Sequence, residues 1–142
     1  MKSTTFFKCF LGFILLFTFK ELDAQEIKAK KDVYTVVEKM PHYVGGDQAL
    51  LKFIKSNLKY PQKALEEKTE GIVFVKFIVN KKGKITDPKI LVSLSPELDK
   101  EALRVIKKMP KWEAGENQNT KVAVQFNLPI RFKLNTTTKN SN

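Results

Sequence analysis

Side chains that commonly carry out chemistry are scarce in this chain. Its 142 residues include one histidine, His42, and one cysteine, Cys9. A single histidine excludes a two-histidine metal site within one chain. Neither Ser93 nor Ser95 has a base at a spacing typical of a catalytic triad. The carboxylates of Glu97, Asp99 and Glu101 alternate along a predicted helix start, so they do not face one another as an acid–base pair would. No phosphate-binding loop or dinucleotide fingerprint occurs, and the sequence predicts no enzyme, no cofactor and no metal site.

Basic charge is the second feature of the composition. The chain has 26 Lys and Arg against 15 Asp and Glu, a formal net charge of +11. Lysines cluster at residues 81–84, and further basic residues run from 104 to 111 beside Trp112. Basic patches with aromatic residues can bind single-stranded nucleic acid, but we expect the aromatic residues here to lie in the core. An N-terminal export segment also argues against a nucleic-acid partner. The charge favours a membrane surface, an acidic partner segment or a merely solvated surface, and no nucleic acid is predicted.

The remaining chemistry is that of the backbone in residues 122–134, VAVQFNLPIRFKL. All seven even-numbered positions are apolar, which is typical of a strand with one buried and one wet face. Pro129 has no N–H and therefore indicates an edge strand or a bulge. Barring a bulge, the missing N–H puts the odd-numbered residues on the free edge. Such an edge leaves backbone donors and acceptors unpaired, so another chain can add to it.

Helices earlier in the chain must position this edge. Apolar spacing predicts two long helices at residues 47–59 and 95–109, with Asp47 and Ser95 as their N-caps. Pro61 opens a short helix between them.

Two similar pentapeptides stand at the ends of predicted elements, KMPHY at 39–43 and KMPKW at 108–112. We interpret both as loops in which an aromatic side chain packs against the core. Trp112 is expected to be buried against the helix at 95–109.

Two more strands are predicted ahead of the edge strand. Residues 72–79 are apolar on both faces apart from Lys76, as in a middle strand covered on both sides. After a hairpin turn, residues 84–92 return as a second strand, and its interruption at Asp87-Pro88 indicates an edge or a bulge.

The order helix, strand, strand, helix, strand predicts an α+β fold. We expect a three-stranded antiparallel sheet in the order 2-1-3, with helices packed on one face. The β-branched stretch at residues 33–37 could occupy the free edge of the last strand, and so could a second copy of the domain.

The N-terminal residues read as an export signal. An uncharged run of eleven residues, 9–19, follows Lys2 and Lys8, and a membrane span needs about 20. We predict a signal peptide at residues 1–24, with an uncleaved anchor as the alternative. Residues 25–46 are then a lead and arm, 47–134 the folded domain and 135–142 a disordered tail.

Several short motifs recur in a fixed order along the chain. They are VVExMP at 36–41, GG at 45–46, YPxxA at 60–64, GxVxVxFxV at 71–79, KGKI at 82–85, LDxEA at 98–102, MPxW at 109–112 and VxVxFxLPxxF at 122–132. Taken together they resemble the C-terminal domain of the TonB energy transducers, in the form common in Bacteroidota. The resemblance covers residues 33–134.

The resemblance implies a periplasmic protein-binding module. Such a module captures an extended segment of an outer-membrane receptor, the TonB box, as a strand beside its own last strand. This links it to transmembrane transport of nutrients such as siderophores or glycans. The implied partner-binding residues here are Val122, Ala123, Val124, Gln125, Phe126, Asn127, Leu128, Pro129, Ile130, Arg131 and Phe132, with Tyr60 and Pro61 nearby.

Two departures from the family pattern leave alternatives open. Full transducers have a membrane span and a long Pro-rich linker, whereas eight residues, 25–32, separate the predicted cleavage site from the domain. The loop before the last strand has EAG at 113–115 instead of Pro-Gly and NT at 119–120 instead of Gly-Lys. The chain is then an exported peptide-binding module or an inner-membrane-anchored transducer with ExbB/ExbD-type partners. A scaffolding domain that dimerises through its edge, without receptor coupling, is the third alternative.

Overall fold

A computed structural model of the protein describes residues 33–134. The predicted signal peptide or anchor, the lead at 25–32 and the predicted disordered tail lie outside these residues. None of the helices within this range combines the length and hydrophobicity that a membrane crossing requires.

Strands and helices alternate along these residues. The strands are β1 (Val33–Tyr34), β2 (His42–Tyr43), β3 (Gly71–Val79), β4 (Ile85–Val92), β5 (Trp112–Glu113), β6 (Gly115–Asn117) and β7 (Thr120–Phe132). The helices are α1 (Gly46–Asn57), α2 (Gln62–Glu66) and α3 (Pro96–Lys108). All three predicted helices and all three predicted strands are present, displaced by one or two residues at their ends.

The helix starts follow the sequence signals with one exception. At α3 the Ser95 hydroxyl accepts the Leu98 N–H at 3.3 Å, and proline fills the first position, as predicted. At α1 the predicted cap is wrong, because Gly45 is the N-cap and no side chain caps the helix. Gly45 takes a left-handed φ of 91°, which glycine adopts readily. Asp47 lies in the first turn, where its charge complements the helix dipole.

The three long strands confirm the predicted order. β4, β3 and β7 lie side by side in that order, and both pairings are antiparallel. The interruption at Asp87-Pro88 is a bulge, since the β3–β4 register shifts between Lys76 and Ile78 and Asp87 has a φ of 51°. The hairpin turn ends at Gly83, where a Cβ would collide with the Trp112 carbonyl oxygen.

The sheet is larger than the predicted three strands. β1 and β6 also pair with β7, which makes five strands, while β2 and β5 form a separate two-stranded sheet. Strands of two or three residues are too short to show a period of two, so periodicity could not reveal them. The two similar pentapeptides contribute to the small sheet, because Tyr43 pairs with Trp112.

The core lies between one face of the sheet and the helices, as predicted. It combines the odd-numbered residues of β3, the even-numbered residues of β7 and the inner face of α3; its fully buried members include Val75, Phe77, Leu98, Ile106 and Ile130. The expectation that β3 is covered on both faces is wrong for the described residues. Ile72, Phe74 and Ile78, on its other face, are only half-buried and do not belong to the core.

Candidate partner-binding edge

β7 spans 13 residues, and its neighbours determine which edge it offers. Val124 to Phe132 pair with β3, and Pro129 stands opposite Phe74. Backbone groups of alternate residues point to opposite sides of a strand, and proline has no N–H to give to a neighbour. The register therefore agrees with a strand whose even-numbered residues bond to β3 and whose odd-numbered residues face away from it.

β6 lies on the same side of β7 as β3. Glu116 exchanges two backbone hydrogen bonds with Lys39, of 3.0 and 2.9 Å, so Gly115 and Asn117 direct their groups toward β7. Both pair with even-numbered residues of β7, and the even-numbered residues are those that face β3. β6 thus continues along the same side of β7 as β3 and does not occupy the other side.

We call this other side the outer edge. Its backbone groups belong to Ala123, Gln125, Asn127 and Arg131, with a gap at Pro129. The even-numbered side chains of β7 point into the core: Val122, Val124, Leu128, Ile130 and Phe132 are buried and Phe126 is half-buried. Of the predicted partner-binding residues, these six hold the strand in place, and their side chains cannot meet a partner at the edge.

β1 is the neighbour of β7 on the outer side, since the strand order is β1-β7-β3-β4. The predicted arm therefore reaches the predicted edge, at the strand that ends with Tyr34. Two residues cover little of a strand of 13 residues. After Tyr34 the chain leaves β7, and Lys39 pairs instead with Glu116 of β6.

Tyr60 packs against the far end of β7 from the core side, and Pro61 follows it in the chain. The Tyr60 ring packs edge-on against Phe132 with centroids 5.8 Å apart, and its hydroxyl donates to the Thr69 carbonyl oxygen. Burial, together with the charge of Glu70, raises the pKa of Tyr60. Pro61 is the N-cap of α2. The structure thus brings Tyr60 to the end of the candidate strand but not to its outer edge.

An ionic network that the sequence analysis did not identify lies beside this pair. Glu101 accepts the Lys59 N–H at 2.6 Å and two Arg104 donors at 2.7 and 2.6 Å, while Arg104 Nη2 also donates to the Asn57 carbonyl at 2.6 Å. Burial opposes the charge of Glu101, but these hydrogen bonds outweigh it and lower its pKa. The network joins the end of α1 to α3. The sequence feature that could have indicated this network is the spacing of Glu101 and Arg104, an acid and a base three residues apart on one helix.

Aromatic rings fill the space beneath the start of β7. Trp112 is 4% exposed, which confirms that it is buried, while its packing against the helix at 95–109 stays a prediction. Its ring makes edge-on contacts with Tyr43, Phe77 and Phe126, with centroids 5.8, 5.5 and 5.2 Å apart. The indole N–H has no hydrogen-bond partner among the described residues. Trp112 is therefore a core residue that supports the candidate edge from beneath.

The described residues contain no cluster of histidine, cysteine or acidic side chains arranged to hold a metal ion. A cleft of about 340 Å³ is lined by Tyr60, Pro61 and the Glu101–Arg104 network. Of its two carboxylates, Glu101 is paired with Arg104 inside the cleft and Glu97 with Lys63.

Comparison with known proteins relates the chain to one family. Residues 56–134 match the family model described as the Gram-negative bacterial TonB protein C-terminal. Two solution NMR structures of the Helicobacter pylori TonB C-terminal domain are similar to the chain. One is 28% identical, covers 61% of this chain and 90% of its own, and has a TM-score of 0.48. The other is 27% identical, covers 59% and 76%, and has a TM-score of 0.45. Comparison with curated proteins finds no significant match.

Proposed function

The chain belongs to the family of Gram-negative bacterial TonB C-terminal domains, and on this premise we propose that it captures extended segments of outer-membrane receptors by strand addition. Domains of this family are protein-interaction modules of TonB-dependent transport that function in the periplasm and interact with TonB-dependent receptors. For this chain, the proposed site is the outer edge of β7 and the proposed ligand is a receptor's TonB box. The cargo of such a receptor would be a nutrient such as a siderophore or a glycan.

The observation that carries the proposal is the pairing of β7. β3 and β6 share one side of this strand, and β1 alone neighbours the other within the described residues. Main-chain hydrogen bonds provide the affinity in strand addition. Because Pro129 interrupts the donors, we expect affinity to be concentrated between Ala123 and Asn127.

β1 would compete with an incoming segment for the same edge. A two-residue strand contributes few hydrogen bonds, each worth about 1 kcal/mol net. A receptor segment long enough to follow β7 from Ala123 to Asn127 would form more of them and would displace β1 wherever the two overlap.

Replacing Gln125 by proline tests this proposal directly. Gln125→Pro removes one N–H from the outer edge and leaves the hydrogen bonds to β3 intact. We expect the affinity for a receptor N-terminal peptide, measured by isothermal titration with the full chain, to fall at least about tenfold, as for the loss of a hydrogen bond and its neighbours. The matched control Gln125→Ala keeps the N–H and should bind within about twofold of the original chain.

Circular dichroism and sedimentation accompany the titration. A folded Gln125→Pro protein that binds the peptide as before would place the site elsewhere. If the original chain binds no receptor peptide but forms a dimer that Gln125→Pro dissociates, the edge serves self-association, as in the scaffolding alternative.

A further inference from the structure

The face of the sheet opposite the helices carries an apolar strip that belongs to no core. Ile72, Phe74 and Ile78 lie along the central strand β3, half-buried by their sheet neighbours, and no described helix packs over them. We call this surface the open face. A central strand that is apolar on both faces is typical of a sheet covered on both sides, so the strip is a candidate docking surface.

The strand β4 extends the apolar strip on one side. Val92 stands opposite Phe74 on the open face and is 49% exposed. Leu91, the extra residue where the register shifts, is also 49% exposed. With Ile72 and Phe74, Leu91 and Val92 form an apolar area at one end of the sheet.

Basic side chains divide and border this area. Lys76 of β3 stands directly opposite Lys89 of β4, and Arg131 of β7 stands opposite Ile72. The neighbouring acid, Asp87, has its Oδ2 3.1 Å from Lys89 Nζ. Like charges placed directly opposite in a sheet are unfavourable, and Lys76 is itself only half-exposed. The open face thus has an excess of positive charge around its apolar strip.

We propose that the open face docks an acidic amphipathic segment of a partner protein. Its apolar side chains would cover Phe74 and Val92, and its carboxylates would lie between Lys76, Lys89 and Arg131. This site is distinct from the outer edge of β7, because it uses side chains on the pleated face rather than free backbone groups.

Charge and depth argue against two other occupants. A second copy of the domain stacked face to face would bring Lys76, Lys89 and Arg131 against identical cations, which costs free energy. A lipid bilayer takes up apolar groups that project beyond their polar neighbours. Here Ile72, Phe74 and Ile78 are half-buried beside long cationic side chains, whereas Leu91 and Val92 at one end are exposed. The strip along β3 therefore suits a segment that can reach between those cationic chains.

Photochemical cross-linking in the native cells tests the proposal on the full chain. p-Benzoylphenylalanine in place of Phe74 should give an adduct with a protein, and mass spectrometry should locate the adduct in a segment that alternates acidic and apolar residues. Lys76→Glu should lower the adduct yield at least about tenfold, because it adds a repulsive charge at the centre of the site. Lys52→Glu, which makes the same charge change on the exposed surface of α1, should leave the yield unchanged.

Further controls separate the outcomes. The same photoreactive residue in place of Leu51, which is 65% exposed on α1, should not give this adduct, and thermal unfolding should show that Lys76→Glu remains folded. A lipid adduct, an adduct with a second copy, an adduct in a segment without acidic residues or no adduct at all would each overturn the proposal. An adduct that persists in Gln125→Pro would show that the open face acts independently of the outer edge; loss of the adduct there would contradict a separate site.

Discussion

Trp112 shows how far a single residue can be interpreted before its neighbours are known. Its aromatic type and its place after a helix-ending proline predicted burial, and its side chain is 4% exposed. The rings that enclose it come from β2, β3 and β7, which are separated in sequence and could not be assigned to it by spacing. The packing of these rings against one another joins the β2–β5 pair to the main sheet.

Two substitutions at Trp112 should differ widely in cost. Trp112→Ala should lower the free energy of unfolding by about 3–5 kcal/mol, since it leaves a large cavity. Trp112→Phe should cost only about 1 kcal/mol, because it keeps most ring contacts and removes a buried N–H that has no partner. Urea denaturation of both variants measures the difference. A loss below about 1 kcal/mol for Trp112→Ala would contradict a structural role.

Glu101 makes the stability dependent on pH in a defined window. Its pKa is lowered from the ordinary 4.5 in the folded chain, despite burial, by hydrogen bonds from Arg104 and Lys59. An acid whose folded pKa is depressed stabilises the fold above its unfolded pKa, and this contribution is lost as the pH falls through the folded pKa. We therefore expect stability to decline below about pH 4.5.

Glu101→Gln tests this dependence. It should lower the free energy of unfolding by about 1–2 kcal/mol at pH 7, as for hydrogen bonds to a charged group that is partly open to water. It should also flatten the decline in stability as the pH falls below the ordinary glutamate pKa of 4.5. Glu97→Gln, at the exposed ion pair with Lys63, is the control and should change the profile less. Identical profiles for Glu101→Gln and the original chain would show that the network does not contribute.

Among the elements, periodicity predicted the long ones well. The alternation of β7 and the apolar faces of α1 and α3 each extend over eight or more residues, long enough for a period to emerge. The two- and three-residue strands were missed, because their pairing is set by tertiary contacts such as the Lys39–Glu116 bridge. The departure at residues 113–120 proved compatible with a hairpin, in which Gln118 and Asn119 both have positive φ, of 48° and 58°.

The β6–β7 hairpin turn should be improvable at one position. Two-residue hairpin turns with both residues left-handed favour Asn followed by Gly. Asn119→Gly should remove the strain of a non-glycine residue in the left-handed conformation and raise the free energy of unfolding by about 0.5 kcal/mol. Thr120→Gly, one residue into the strand, should instead destabilise the chain by about 0.5–1 kcal/mol. Thermal and urea unfolding of both variants compare them. Destabilisation by Asn119→Gly would indicate that the asparagine side chain has a role the hairpin geometry does not show.

On the scale of the whole molecule, strand order could be predicted but the covering of the sheet could not. The rules for handedness and for connections between strands allow few strand orders in a chain that runs helix, strand, strand, helix, strand. The predicted strand order 2-1-3 is found. Because β3 is apolar on both faces, its sequence predicted that both faces of the sheet are covered, whereas the described residues cover one face. A sequence pattern records that a face is apolar; it does not record whether the chain itself or a partner covers it.

This distinction yields opposite predictions for stability and binding at Lys76. Lys76→Glu replaces two opposed lysines by an acid–base pair with Lys89, which should raise the free energy of unfolding by about 0.2–1 kcal/mol. It leaves every backbone group of β7 in place, so the receptor peptide should still bind within about twofold in isothermal titration. If Lys76 served folding alone, replacing it should not raise the free energy of unfolding. A more stable protein that still binds the receptor peptide at the outer edge would therefore indicate that Lys76 serves binding at the open face. A fall in stability on urea denaturation would show instead that Lys76 is already compensated within the fold, and the case for an uncompensated positive charge on this face would fail.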